Sequence, residues 1–232
     1  GTVTDSDNIY RLLKAYKEKY QTPIFAYVNG LCASGGMYIS SAADRIYASP
    51  PSVVGSIGVI FGPFFNVYDA MNKVGIQSKT LTEGLDKDEM SPFRPWKPDE
   101  AATLQAITAS NYQRFVDIFT AGHPRVDREK LIHEYGARVF DVAKAQEIGY
   151  IDIANAEYNT ALQELMAAAQ IDPSHPYQVV ELLPRRDLST LLMNNQSPLL
   201  SGKIEHTLDL GDKRSSITRD QFAYLYIPGT SP

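Results

Sequence analysis

Between residues 23 and 43 the chain runs from a proline-bounded apolar segment, Pro23-Ile24-Phe25-Ala26-Tyr27-Val28-Asn29, through Gly30-Leu31-Cys32-Ala33-Ser34-Gly35-Gly36-Met37-Tyr38, into Ile39-Ser40-Ser41-Ala42-Ala43. The first part reads as a short buried strand, Gly30 as a break, and the last part as a helix of small and apolar residues that can pack tightly. Ser34 therefore stands on a sharp strand-to-helix turn. A glycine directly after it lets a backbone N–H approach a ligand oxygen without a Cβ in the way. A helix N-terminus there adds positive partial charge. These are the needs of an oxyanion hole. Ser-Gly-Gly is also an ordinary loop tripeptide, so a catalytic reading requires a base from elsewhere in the chain.

The flanking sequence continues the alternation of strand and helix. The polar run Asp5-Ser6-Asp7-Asn8 suits a helix N-cap, and Ile9, Leu12, Leu13, Tyr16 and Tyr20 then recur at helical spacing until Pro23 ends the helix. Arg45-Ile46-Tyr47-Ala48 predicts a strand before Pro50-Pro51. Residues 53–61 form an apolar run in which Gly55 and Gly58 mark bends or close backbone approach. Residues 65–74 suit a helix closed by Gly75, and 77–81 a half-polar strand. Residues 83–98, with Pro92, Pro95 and Pro98, predict a long irregular segment of the kind that often carries function. Helices are expected over 99–119, 127–135, 142–147 and 157–169, with a strand over 150–153. Beyond Pro173 the pattern weakens to an edge strand over 177–183, a short helix over 188–193, a connector over 194–202 and a last strand over 222–226. This alternation places the chain in the α/β class.

A chain of 232 residues that is 44% hydrophobic can bury one large core. A net charge of −5 without a basic run gives a nucleic-acid surface no support. The single cysteine, Cys32, excludes an internal disulfide framework and any site built from paired cysteines. It reads as a small buried residue rather than a reactive thiol, since nothing basic adjoins it. No stretch approaches the roughly 20 apolar residues of a membrane span, and no signal-like segment opens the chain.

A serine hydroxyl needs a neighbouring base. His123, His133, His175 and His206 all read as surface residues, in loops, on a polar helix or in the tail. The alternative is lysine, as in Ser-Lys variants of the nucleophile–base pair. A lysine working near neutral pH must lose about three units from its reference pKa, through desolvation or nearby positive charge. Lys87, in Thr82-Glu83-Gly84-Leu85-Asp86-Lys87-Asp88-Glu89-Met90-Ser91-Pro92, lies at the head of the irregular segment, where composition alone makes it an exposed loop lysine.

Several ordered blocks resemble the signal peptide peptidase A family of serine peptidases, whose fold is shared with Clp protease and the crotonases. They are Cys32 to Ala48, Val54-Gly55-Ser56-Ile57-Gly58-Val59, Lys87-Asp88-Glu89-Met90-Ser91-Pro92-Phe93-Arg94, Arg138-Val139-Phe140, and Ala145-Gln146-Glu147-Ile148-Gly149-Tyr150-Ile151-Asp152. The resemblance spans residues 1 to about 170. It implies an α/β fold of repeated ββα units, with layered sheets flanked by helices. It also implies a catalytic domain over 1–170 lacking its first strands, with 171–232 as a C-terminal extension. By the same resemblance Ser34 is the nucleophile, Lys87 the general base, Ser56 the hydroxyl that orients the lysine, and the Gly35 N–H an oxyanion donor. Gly1-Thr2-Val3-Thr4 resembles the end of a glycine-rich turn that supplies the family's second donor, expected to precede residue 1.

No cofactor or metal is implied. The expected substrates are hydrophobic extended peptides such as released signal peptides. The expected assembly is a homo-oligomeric ring in which the base can reach the serine from an adjacent protomer, with no nucleic-acid partner. Membrane association, with an extracytoplasmic catalytic domain, would come through a segment absent from this chain. The sequence departs from the family pattern at Met37, where an aromatic residue is usual, and around Phe61-Gly62-Pro63-Phe64-Phe65, about one residue longer than expected. An acyl-CoA hydratase or isomerase of the same fold, a capsid-maturation peptidase and an inactive oligomeric scaffold are the competing readings. The Ser34, Lys87 and Ser56 set argues against the first.

Overall fold

In a computed structural model that describes residues 1–172, 174 and 176–182, the strand and helix alternation resolves into two successive ββα units behind a leading helix. Helix α1 (Val3–Tyr20) starts at Thr2, whose side chain accepts the Asp5 N–H, and ends at Gln21 in the left-handed region. The cap therefore sits three residues before the expected Asp5, because the Thr2 hydroxyl reaches the orphan amide of the first turn. The first unit comprises β1 (Phe25–Val28), β2 (Leu31–Ala33) and α2 (Gly35–Ser40). The second comprises β3 (Arg45–Ala48), β4 (Val53–Gly55) and α3 (Tyr68–Lys73).

First strands pair with first strands and second with second. β1 runs parallel to β3 with Phe25 opposite Arg45, and β2 runs parallel to β4 with Ala33 opposite Gly55. Two small sheets result, as the repeated ββα, Clp/crotonase-like expectation requires. A third strand, β5 (Val139–Asp141), adds antiparallel to β4. Helix α4 (Ala102–Gly122) packs on α2. The remaining segments are α5 (Arg128–Lys130), a π-helical turn (Leu131–Tyr135), α6 (Val142–Glu147) and α7 (Tyr158–Ala168).

The core lies where α2, α4 and the second sheet meet. Met37, Val54, Ile57, Val116 and Phe119 are fully buried there. Tyr150 is also fully enclosed, with Phe119, Phe140 and Tyr135 set edge-on around its ring.

Several expectations differ from the structure. Residues 77–81 form no strand: they are exposed along their whole length, and no neighbouring strand takes up their backbone groups. The 150–153 strand reduces to a single bridge between Tyr47 and Ile153. β5 has too few residues to stand out as a pattern. The apolar stripe of α1 points largely outward, with Ile9, Leu12, Tyr16 and Tyr20 all exposed, because the face packed on α2 carries Ser6, Asp7 and Tyr10 instead. Residues 177–182 are irregular and exposed rather than an edge strand. Leu183 and the elements expected over 188–193, 194–202 and 222–226 lie outside the described residues. The chain divides into two compact units, Gly1–Pro176 and Tyr177–Pro232.

Candidate active site

Ser34 occupies the single residue between β2 and α2, at φ 53 and ψ −116. Such a backbone is sparsely populated for a residue with a Cβ and costs about 1–3 kcal/mol. Two hydrogen bonds hold it. The Ser34 N–H donates to the Gly55 carbonyl (2.9 Å) and the Tyr38 N–H donates to the Ser34 carbonyl (3.0 Å). The strand-to-helix turn expected for this serine is present.

Ser56 holds the equivalent place after β4, also at positive φ (55), with its N–H donating to the Arg138 carbonyl at 2.8 Å. The register that sets Ala33 opposite Gly55 makes Ser34 and Ser56 neighbours at the same end of the second sheet. Both are half-buried, and neither side-chain hydroxyl is hydrogen-bonded among the described residues. Gly55 between them cannot be replaced cheaply. Its φ is 132°, and a Cβ there would stand 2.4 Å from the Arg138 carbonyl oxygen.

Gly35 is buried at the head of α2. A Cβ on it would fall 2.4 Å from Ser6 Oγ, 3.4 Å from the Gly1 nitrogen and 3.5 Å from Gly1 Cα. The backbone after Ser34 is thus pressed against the first turn of α1. Ser6 Oγ is itself tied down by donating to the Thr2 carbonyl at 2.8 Å.

At the residue after Ser6 on α1 and one turn beyond Gly35 on α2, a polar knot joins α1, α2 and α4. The Tyr38 hydroxyl donates to Asp7 Oδ1 (2.7 Å), and Arg114 reaches the same oxygen through Nη2 (2.7 Å) and Nε (3.1 Å). Arg11 Nε takes Asp7 Oδ2 at 2.9 Å. Burial pushes the Asp7 carboxyl up, but the hydrogen bonds from Tyr38 and Arg114 outweigh it and hold the group below its ordinary range. Burial, reinforced by the Asp7 carboxylate, raises the Tyr38 hydroxyl to about 12, so it stays a donor. Sequence spacing gave no hint of this knot, whose members are separated by 31 and 107 residues.

Lys87 lies on an exposed turn. Its N–H donates weakly to the Gly84 carbonyl (3.4 Å), and its ammonium makes no hydrogen bond or ion pair among the described residues. The segment around it is nevertheless fixed. Arg94 grips Asp88 (Nε to Oδ2, 2.6 Å) and Glu100 (Nη2 to Oε1, 2.6 Å), while Glu100 also accepts the N–H groups of Met90 and Lys97, each at 2.7 Å. The Arg94 hydrogen bond is the main cause that brings the Glu100 carboxyl down to about 2. The structure thus brings Ser34, Gly35 and Ser56 together and holds Lys87 outward, on an ordered loop.

The four histidines are not all on the surface. His123 is buried, stacked on Phe119 at 4.4 Å with Nδ1 2.9 Å from the Phe119 carbonyl, and burial lowers its pKa. It sits at the end of α4, where the ring covers the core; loop-like sequence around a proline concealed that. His133 is exposed, 3.4 Å from Glu129, and His175 and His206 lie outside the described residues. Cys32 is half-buried and its thiol is pushed up by burial, as befits a packing residue.

A cleft of about 330 Å³ opens directly after Ser56, lined by Ile57, Gly58, Val59, Thr108, Tyr112 and Ala137. A larger concavity of about 640 Å³, with Lys17, Phe25, Asp44, Arg45 and Glu164 in its wall, shares no residue with the serines. Its charged groups are already paired, Lys17 with Asp44 and Arg45 with Glu164. No group of metal-ligating side chains occurs among the described residues.

The ββα repeat and a strained serine facing a glycine-lined helix start define a protein of the Clp/crotonase-like α/β class with a candidate nucleophile turn. Comparison with known proteins narrows that class. Residues 16–172 match peptidase family S49, and the chain belongs to that family. Two relatives carry the name "Putative protease". That of Synechocystis sp. is 35% identical over 173 residues (75% of this chain, 61% of the relative), and that of Methanocaldococcus jannaschii 33% identical over 181 residues (78% and 56%). The chloroplastic serine protease SPPA of Arabidopsis thaliana is 31% identical over 118 residues, 50% of this chain and 17% of that one. The chain thus spans about three fifths of the length of the first two relatives.

Proposed function

We propose that this chain carries the catalytic part of a serine endopeptidase that cleaves hydrophobic, extended peptides such as released signal peptides. The observation that carries the reading is the backbone of Ser34, held at positive φ between β2 and α2 with buried Gly35 directly behind it. Family membership adds weight to it.

In the proposed reaction Lys87 Nζ, as the neutral amine, takes the Ser34 hydroxyl proton while Oγ attacks the substrate carbonyl carbon. The resulting oxyanion points at the Gly35 N–H. Lys87 then gives the proton to the leaving amine as the peptide C–N bond breaks. A water loses its proton to the same lysine and hydrolyses the acyl-enzyme, returning Ser34 to its hydroxyl form. Ser56, beside Ser34 and with its hydroxyl unengaged, is the group that orients the lysine. The apolar cleft beyond Ser56 suits a substrate side chain.

Lys87 is exposed and unbonded among the described residues of the single chain, and a lysine becomes a base near neutral pH through desolvation or nearby positive charge. An assembled ring, in which the Lys87 loop of one protomer closes on the serines of the next, supplies that condition. Membrane association belongs to the same proposal; no helix among the described residues is long and apolar enough to cross a membrane.

Labelling by a fluorophosphonate tests the nucleophile. The intact, assembled protein is expected to be labelled at Ser34 and the Ser34→Ala variant to be neither labelled nor active. Turnover retained by Ser34→Ala would sink the reading.

A further inference from the structure

Tyr38 is the point at which three helices meet around the start of α2. The residue is 4% exposed, and its ring stands edge-on to Tyr10 of α1 at 5.7 Å and tilted against Phe115 of α4 at 5.0 Å. Its hydroxyl donates to Asp7 of α1 and accepts from Arg114 Nε of α4 at 3.2 Å. Asp7 directly follows Ser6, the residue whose Oγ abuts Gly35. Tyr38 lies three residues beyond Gly35. The knot therefore links, over a single helical turn, the two backbones that face each other at the head of α2: Gly35 on one side and Gly1 with Ser6 on the other.

Packing alone leaves that approach adjustable, because α1 buries only Ser6 fully and turns most of its apolar residues outward. Hydrogen bonds are directional and do not slide. A carboxylate with Oδ1 taken by Tyr38 and Arg114 and Oδ2 by Arg11 has one position to occupy.

We infer that Tyr38, held by Asp7 and Arg114, is a positioning residue for the oxyanion site: it sets the distance between the first turn of α1 and Gly35, and hence where the Gly35 N–H stands when the oxyanion develops. The inference rests on the reading of Ser34 as nucleophile. It assigns no contact between Tyr38 and substrate. Catalysis is sensitive to such a setting, since loss of a whole oxyanion donor costs about 10²–10³ in rate and a donor shifted off line costs part of that.

The test compares the full-length wild-type protein with Tyr38→Phe and, as a milder variant that leaves the buried ring in place, Arg114→Lys. The readouts are kcat, KM, the Ki of a peptidyl aldehyde whose serine adduct bears an oxyanion, and the active-site titre from fluorophosphonate labelling. Tyr38→Phe is expected to lower kcat about tenfold with KM unchanged and to raise the aldehyde Ki by the same factor, with Arg114→Lys falling between it and wild type. Asp7→Asn, which keeps an acceptor for the tyrosine, is expected to stay closer to the wild-type Ki than Tyr38→Phe does. A merely structural role lowers the titre and leaves the Ki of the remaining sites unchanged, and that result overturns the inference. Full activity in both variants overturns it equally. Should Ser34→Ala abolish turnover while Tyr38→Phe leaves the Ki untouched, the positioning role fails and the nucleophile stands. Turnover by Ser34→Ala removes the premise instead.

Discussion

At residue scale the site depends on what one small position, Gly35, leaves out. Gly35 is required because a Cβ would enter the space held by Ser6 Oγ, at 2.4 Å, in a region with backbone on both sides. Gly35→Ala is expected to lower kcat by about 10² or more, because it displaces the amide aimed at the oxyanion. Adding Ser6→Ala removes the closest clash, so the double variant should regain much of the lost thermal stability, read as Tm, and part of the activity. Equal Tm for the single and double variants would contradict the contact. This constraint was legible in the sequence only as a glycine after a serine. The identity of what it faces was not, since Ser6 is 29 positions away and reads as an N-cap residue. His123 shows the opposite limit: a residue beside a proline looks exposed until α4 is seen to end over the core.

At the scale of elements, the segment bearing Lys87 has little regular structure, and a charge cluster holds it. Glu100 accepts from Arg94, Met90 and Lys97, and its folded pKa of about 2 lies below the ordinary 4.5. The unfolded segment therefore binds the extra proton, so the clamp contributes fully above pH 4.5 and is lost as pH falls toward 2. The amide proton shifts of Met90 and Lys97, followed by NMR, should titrate with a midpoint near 2 in the wild type and at a clearly higher pH in Arg94→Ala, where the Met90 and Lys97 N–H groups still hold the carboxylate. Identical midpoints would show that Arg94 does not set this carboxylate. Sequence reading found the segment irregular and located its lysine, but the clamp depends on which carboxylates face Arg94, and spacing does not report that. Short elements were the least legible. β5 exists because β4 offers an edge to Phe140 and its neighbours, whereas residues 77–81, despite a half-polar strand pattern, meet no edge and stay irregular and exposed.

Across the whole molecule, the order of blocks was the strongest signal in the sequence, and the ββα repeat and family S49 membership follow it. Assembly is where single-chain geometry gives way to proposal. If Lys87 serves the serine of a neighbouring protomer, mixing inactive Ser34→Ala and Lys87→Ala chains in equal amounts and reassembling them should restore about a quarter of wild-type activity, since a site is whole only where two intact faces meet. A mixture as inactive as its components would place the lysine within one chain or remove it from the reaction.

The outward apolar stripe of α1, from Ile9 to Tyr20, has a practical consequence at the bench. Environment-sensitive dyes that brighten on greasy surfaces will find such a surface on this folded chain before any heating begins. A dye-based melting curve will then start from a high baseline and show a shallow rise. Backbone circular dichroism, which reports the helices themselves, is the sounder way to follow unfolding of this chain and its variants.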